Sequence, residues 1–241
     1  MNLKDFVIII PSRIGSTRLP RKPLVKIGDK LLIEHIILNL KDDFVDNLYI
    51  ATDSHEIASL VESLGVNYIM TGECNTGTDR VYQAFQKLGK KVKYIINLQG
   101  DMPFVTPQLI KNIVERLEKG DCDIATAIIK TDKQTIESES NVSVVIDKND
   151  IAMYFSRCPI PYNSKEFHYH MGVYGFCADA LTKFVNLPQT KYELSEKLEQ
   201  LRALENGMKI GVCIANEAPI SVDTEEDLAK AIQYYNKQLS K

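Results

Sequence analysis

No CxxC pair occurs anywhere in this chain, and its five cysteines (Cys74, Cys122, Cys158, Cys177 and Cys213) are scattered and odd in number. That excludes a cysteine zinc site and a disulfide framework, and leaves reduced, mostly buried thiols as the expectation. No HxxxH or HxH arrangement is completed by a third nearby ligand either. Long apolar runs are missing too. The run Phe6–Ile10 is preceded by Lys4 and Asp5 and ended by Pro11, far short of a signal or membrane segment, which points to a cytoplasmic protein without membrane contact. Positive charge is not in excess: 241 residues carry a formal net charge of -3, which argues against a nucleic-acid partner. Repeats and low-complexity tracts are absent, and neither GxGxxG nor GxxxxGK[ST] occurs, so dinucleotide and Walker-type sites are weak readings. What remains is an ordinary globular composition, 44% apolar and 25% charged, long enough to bury a core without staples.

One further absence is local. Between Asp5 and Asp29 there is no acid, while Arg13, Arg18, Arg21, Lys22 and Lys26 all fall there. The stretch PSRIGSTRLPRKPL, residues 11–24, places these cations beside Gly15, Ser16 and Thr17, whose small size lets backbone N–H groups approach a ligand. A solvated surface loop is the bland alternative. Cations without a local counter-charge, held by Pro11, Pro20 and Pro23, favour a polyphosphate site.

Upstream of that loop Phe6–Ile10 is short, continuous and β-branched, which predicts a strand buried on both faces and hence a parallel sheet. Leu48–Ala51 repeats the signal, and Ser54 caps a helix to about Leu64. A strand at Asn67–Met70, a helix from Thr78 or Asp79 to about Leu88 and a strand at Tyr94–Leu98 continue a βαβ alternation. A helix over Thr106–Leu117 and a strand over Asp123–Ile129 follow. The pattern changes at about Lys130. Residues 130–178 read as an inserted β-rich lobe of a single 1–241 domain, with strand-like runs at Val142–Ile146, Ile151–Phe155 and near Gly172–Cys177. A helix over Glu193–Glu205, a strand over Lys209–Ile214 and a helix over Glu225–Gln238 close the chain.

Several short segments sit where such folds bind ligands, at the carboxyl ends of strands. Gln99-Gly100-Asp101 puts a carboxylate directly after a central strand, where Mg²⁺ bound to phosphate can be held, though a lone Asp there is often only a turn residue. Asn75-Thr76-Gly77-Thr78-Asp79-Arg80 reads as a helix N-terminus first. Asp223 or Thr224 reads as an N-cap before Glu225-Glu226-Asp227, and Asp223 matters chemically only if it meets Asp101 in space. Arg157, His168, His170 and Tyr174 decorate the lobe, where a single histidine is more often structural. The run LEQLRALENG, with Glu199, Gln200 and Arg202, reads as a solvated helix face.

Taken in order, PSRIGSTRLPRKPL, ATDSHEI, GTDRV, NLQGDMPFV, MYFSRCPIPY, HMGVYGF, LEQLRALENGMKI and VDTEEDL resemble the 3-deoxy-manno-octulosonate cytidylyltransferase (CMP-Kdo synthetase) family over essentially the full chain. The resemblance implies an α/β Rossmann-like nucleotide-diphospho-sugar transferase fold, with a mixed, mostly parallel central sheet, helices on both faces and the β-rich lobe serving sugar binding and dimerisation. It implies CTP and an acidic eight-carbon sugar as substrates, CMP-Kdo and pyrophosphate as products for lipopolysaccharide, a cytoplasmic homodimer, and Mg²⁺. Carried over by position, Arg13, Ser16, Thr17, Arg18 and Lys22 would hold the triphosphate. Thr78, Asp79, Arg80, Gln99 and Gly100 would line the cytidine and phosphate side, and Asp101 and Asp223 would hold metal. Lys22, Asp101 and Asp223 would be catalytic, while Arg157, His170, Tyr174, Glu199 and Gln200 would grip the sugar. The chain departs from the family pattern at Met102, where an acid is usual, at Pro219-Ile220-Ser221, where a glycine is usual, and at Asn75. Other readings are a cytidylyltransferase for an 8-amino Kdo analogue or a sialate-like nonulosonate, and a silent nucleotide-binding relative.

Overall fold

The structure is a computed structural model that describes residues 1–16, 18–137, 141–216 and 220–239. The chain divides into two compact units, one of residues 7–91, 97–107 and 219–241, the other of residues 1–6, 92–96 and 108–218. The first unit is built on β1 (Phe6–Ser12), whose Ile8, Ile9 and Ile10 are fully buried. A β2–β3 hairpin (Lys26–Ile27 and Lys30–Leu31) leads to α1 (Leu32–Phe44). The sequence reading assigns no element to this helix, because its N-cap is Leu31, which offers no capping oxygen; Glu34 supplies half of the box, accepting from the Leu31 N–H at 2.6 Å.

Then come β4 (Leu48–Thr52), α2 (His55–Ser63), β5 (Asn67–Met70), α3 (Gly77–Leu88) and β6 (Tyr94–Leu98). All match the expected alternation within a residue or two. Ser54 Oγ accepts from the Ile57 N–H as expected of the cap, and α3 opens one residue early because Thr76 and Asp79 form a reciprocal capping box. Strands β1, β4 and β5 stand side by side in that order and are parallel.

The second unit takes residues 1–6 and 92–96 and then α4 (Pro107–Glu118), β7 (Ile124–Thr131) and the short α5 (Lys133–Ile136). It continues through β8 (Ser143–Ile146), β9 (Ala152–Ser156), β10 (Phe167–Cys177), α6 (Ala178–Val185), α7 (Lys191–Glu196), α8 (Leu201–Glu205) and β11 (Ile210–Ile214). β11 lies parallel to β7, β10 antiparallel to β7, and β8 pairs with both β10 and β9. The fold is α/β with a mixed sheet, as expected. The last helix, α9 (Glu225–Leu239), returns to the first unit.

Two expectations about elements need correction. β10 is about twice as long as the strand read near Gly172–Cys177, and it accepts α4 closely because of Gly175, where a Cβ would stand 2.6 Å from Ile113 and 2.8 Å from Leu117. The helix read over Glu193–Glu205 is two short helices, broken at Lys197, whose φ is 55°. The break has a cause in the core. Arg202 and Glu193 are both nearly buried and pair through Nε–Oε2 at 2.9 Å and Nη2–Oε1 at 2.5 Å. In one continuous helix these two residues would be separated by about 13.5 Å of rise, so the chain must fold back for them to meet.

Candidate active site

All the segments flagged around the first strand ends converge within the first unit. The carboxyl end of β1, the loop after it, the start of α3, the residues after β6 and Asp223 wall a cavity of about 230 Å³. Gly100 makes the convergence possible, since a Cβ there would lie 2.9 Å from the Pro11 carbonyl oxygen. Gly77 does the same for Gln99, whose Oε1 would stand 3.2 Å from an added Cβ. Gln99 is oriented by donating to Asn97 Oδ1 at 3.0 Å, and Asn97 donates to Thr78 Oγ1 at 3.1 Å.

The two separated aspartates do meet. Lys22 Nζ donates to Asp223 Oδ1 at 3.0 Å and lies 3.9 Å from Asp101 Oδ2. Arg18 Nη2 approaches the same Asp223 oxygen at 3.2 Å. The Asp223 carboxylate is available because Thr224, not Asp223, caps α9: its Oγ1 accepts from the Asp227 N–H, and Asp227 accepts from the Thr224 N–H. The Val222 N–H donates to the Asp101 carbonyl at 2.8 Å, tying the two acidic segments together. Burial pushes the Asp101 carboxyl above the usual carboxylate range; Lys22 and the Ser221 hydroxyl pull it down, and Asp223 pushes it up. Asp101 Oδ1 is buried and has no hydrogen-bond partner among the described residues.

The cationic loop is therefore not without counter-charge. Lys22 and Arg18 face Asp223, and Arg21 makes a two-point contact with Glu56 at 2.6 and 2.7 Å on the surface. The carboxylates come from distant segments, which is why the local sequence shows none. Arg13 and Ser16 line the cavity. Thr17 lies outside the described residues. Arg80 lines the cavity from within the protein, with its fork donating to Thr71 and, at 2.7 Å, to Asp53. Thr78 and Asp79 do not line it; Asp79 is occupied as half of the α3 capping box. Met102 is buried. Sequence reasoning missed Ser12, a cavity-wall residue whose buried Oγ has no partner among the described residues; a polar residue closing an apolar strand is the one signal that could have marked it.

The remaining residues belong to the second unit. His170 is buried, its Nε2 3.0 Å from Thr126 Oγ1 and its ring edge-on to Phe155 with centroids 4.9 Å apart. Tyr174 neighbours it at 5.4 Å. Burial and then the charge of the Glu199 carboxylate push the Tyr174 phenol far above its usual range. Gln200 is buried, and its Nε2 has no partner among the described residues. Arg157 is anchored by Glu196, which accepts from the Arg157 N–H at 2.9 Å and from Ser156 Oγ at 2.9 Å. Glu196 and Thr126 were not singled out from the sequence.

Burial pulls the His170 imidazole down to about 3. The unfolded chain, with an ordinary imidazole near 6.5, binds a proton at a higher pH than the folded one, so stability falls as pH drops through that window. The expected slope is roughly 1.4 kcal/mol per pH unit between about pH 6 and 4. Denaturant midpoints against pH should show it, and His170→Gln should flatten the curve; an unchanged slope would place the titration elsewhere.

A family profile described as Cytidylyltransferase matches residues 7–210. The 3-deoxy-manno-octulosonate cytidylyltransferase of Rickettsia bellii is 49% identical over 240 residues, covering 98% of each chain. The chain belongs to this cytidylyltransferase family. The relative from Rickettsia rickettsii is 50% identical over 231 residues, 95% of this chain and 96% of that one. Among solved structures, a CMP:2-keto-3-deoxy-manno-octonic acid synthetase complexed with CTP superposes with TM-score 0.91 at 32% identity, covering 97% of this cytidylyltransferase and 99% of that chain. A putative glucose-1-phosphate thymidylyltransferase from Bacillus anthracis shares the fold alone, with TM-score 0.68 and 16% identity over 95% and 94% of the two chains.

Proposed function

We propose that this chain joins CTP to 3-deoxy-D-manno-octulosonate (Kdo), giving CMP-Kdo and pyrophosphate. The sugar's C2 oxygen forms a bond to the α-phosphorus, the bond from that phosphorus to the bridging oxygen breaks with its electron pair leaving on pyrophosphate, and the hydroxyl proton passes to water. The observation that carries this is Lys22 held against both Asp101 and Asp223 in the cavity of the first unit. Two anions must be brought together and the charge growing on pyrophosphate stabilised, which calls for fixed cations rather than a covalent nucleophile. Arg13, Arg18 and Lys22, with Ser16 and Thr17, would hold the triphosphate; Gln99 and Gly100 would face the nucleotide. Arg80 would line the same wall, and Thr78 and Asp79 would support it from behind.

Mg²⁺ belongs to this reading. The partnerless Asp101 Oδ1, in a carboxyl that burial makes reluctant to ionise, is the kind of oxygen a cation would satisfy. No group of three or more His, Cys, Asp or Glu among the described residues could hold a metal; Asp101 and Asp223 would share an ion that takes its other ligands from phosphate and water. When bound, it would neutralise phosphate charge and acidify the attacking hydroxyl.

In the second unit, Arg157, His170, Tyr174, Glu199 and Gln200 would select the sugar, with the Arg157 guanidinium meeting its carboxylate through two N–H groups. Residues 130–178 would form the sugar-binding and dimerising lobe of one nucleotidyltransferase domain in a homodimer. Five free thiols suit a cytoplasmic location, and no helix among the described residues is long and apolar enough to cross a membrane.

A pyrophosphate-release panel crossing CTP, UTP and ATP with Kdo, 8-amino Kdo and sialate tests the reading. Release is expected with CTP and Kdo above all other pairs; a preference for another sugar, or no release with any, would overturn it. Lys22→Ala should raise the apparent KM for CTP by roughly tenfold or more, since a charge-assisted contact is lost. An unchanged KM and rate would remove Lys22 from the triphosphate site.

A further inference from the structure

β10 does not run straight past β7. Its register shifts between Met171 and Tyr174, so Gly172 and Val173 leave the ladder and the direction of Tyr174 is reset. Opposite this bulge stands Thr126 of β7, fully buried. Its Oγ1 lies 2.8 Å from the Val173 carbonyl oxygen, 3.1 Å from that of Met171 and 3.0 Å from His170 Nε2. A hydroxyl has one proton to donate and lone pairs with which to accept. Donation to the nearest carbonyl, that of Val173, leaves the oxygen to accept from a protonated Nε2. The opposite choice, with the hydroxyl donating to a bare Nε2, takes its only proton from both bulge carbonyls. The residue is held on both sides of this bond: the His170 backbone N–H donates to the Val142 carbonyl at 2.8 Å, and the ring packs against Phe155 and Tyr174.

We propose that Thr126 is a positioning residue for sugar recognition: one buried hydroxyl closes the β10 bulge that directs Tyr174 and fixes His170 as the tautomer protonated on Nε2, leaving Nδ1 to accept from a sugar hydroxyl. This rests on the reading that His170 and Tyr174 grip the acidic sugar. A neutral ring with a fixed tautomer is an acceptor at one defined atom, whereas a ring free to exchange tautomers offers its acceptor at that atom only part of the time.

Thr126→Val keeps the branched shape and removes the hydroxyl, and Thr126→Ser keeps the hydroxyl. With CTP and Kdo, the valine variant should show a KM for Kdo about tenfold higher at an unchanged KM for CTP, and the serine variant should return to within about twofold of the parent. A valine variant with the parent's KM for Kdo, or a serine variant as impaired as valine, overturns the proposal. Nitrogen-15 spectra of the unmodified protein at neutral pH, with His170 assigned by its loss in His170→Gln, should show the Nε2–H tautomer. Nδ1–H or a tautomer mixture overturns it whether or not the valine variant folds. The spectrum needs no sugar, so a parent enzyme inert toward Kdo would sink the proposed function while the tautomer still decided the role of Thr126.

Discussion

Asp101→Asn is expected to lower kcat by roughly a thousandfold or more while leaving the protein folded. Asparagine keeps the shape of the side chain and removes only its charge. In the proposed reaction that charge would hold the cation that screens phosphate from the incoming sugar, so the loss should fall on the chemical step. Folding should not suffer. Burial already pushes the Asp101 carboxyl up, so the native protein gains little from ionising it, and Lys22 keeps Asp223 at 3.0 Å. The melting temperature should stay within about 3 °C of the parent or rise, the usual sign of a functional group held in an environment that disfavours its charge. Near-normal turnover would take Asp101 out of the metal site.

Arg202→Met should be the most damaging single change to stability. It strands Glu193, 5% exposed, without the guanidinium that satisfies both of its oxygens. Removing one partner of such a pair costs about 3–5 kcal/mol, and here the Arg202 guanidinium also lies over Phe184 at 5.1 Å and reaches the Leu187 carbonyl at 3.4 Å. Urea midpoints measure the loss. The double variant Glu193→Gln with Arg202→Met should recover part of it, because no bare charge is then buried; a loss below about 1 kcal/mol in the single variant would show that the pair is dispensable. The turn carrying Glu199 and Gln200, which are proposed to contact the sugar, lies between the two partners, so on that reading Arg202→Met should raise the KM for the sugar as well.

The sequence by itself determined most of the parallel α/β frame. A short β-branched run such as FVIII has no polar face to show to water, which favours an inner strand, and capping residues such as Ser54 and Thr76 announce their helices locally. It failed where the signal is not local. α1 has no capping oxygen at its start, and the Glu193–Glu205 stretch has helical periodicity throughout yet breaks so that a distant pair can close. The same holds for the site. The cations of residues 13–22 were legible because they are contiguous, and the order of motifs identified the family. That Lys22 stands between Asp101 and Asp223, that Thr224 rather than Asp223 caps α9, and that His170 is buried against Thr126 were decided only by tertiary structure. Coulomb attraction, burial and one-proton hydroxyl geometry act across space at a few ångströms, and sequence separation carries no record of that distance.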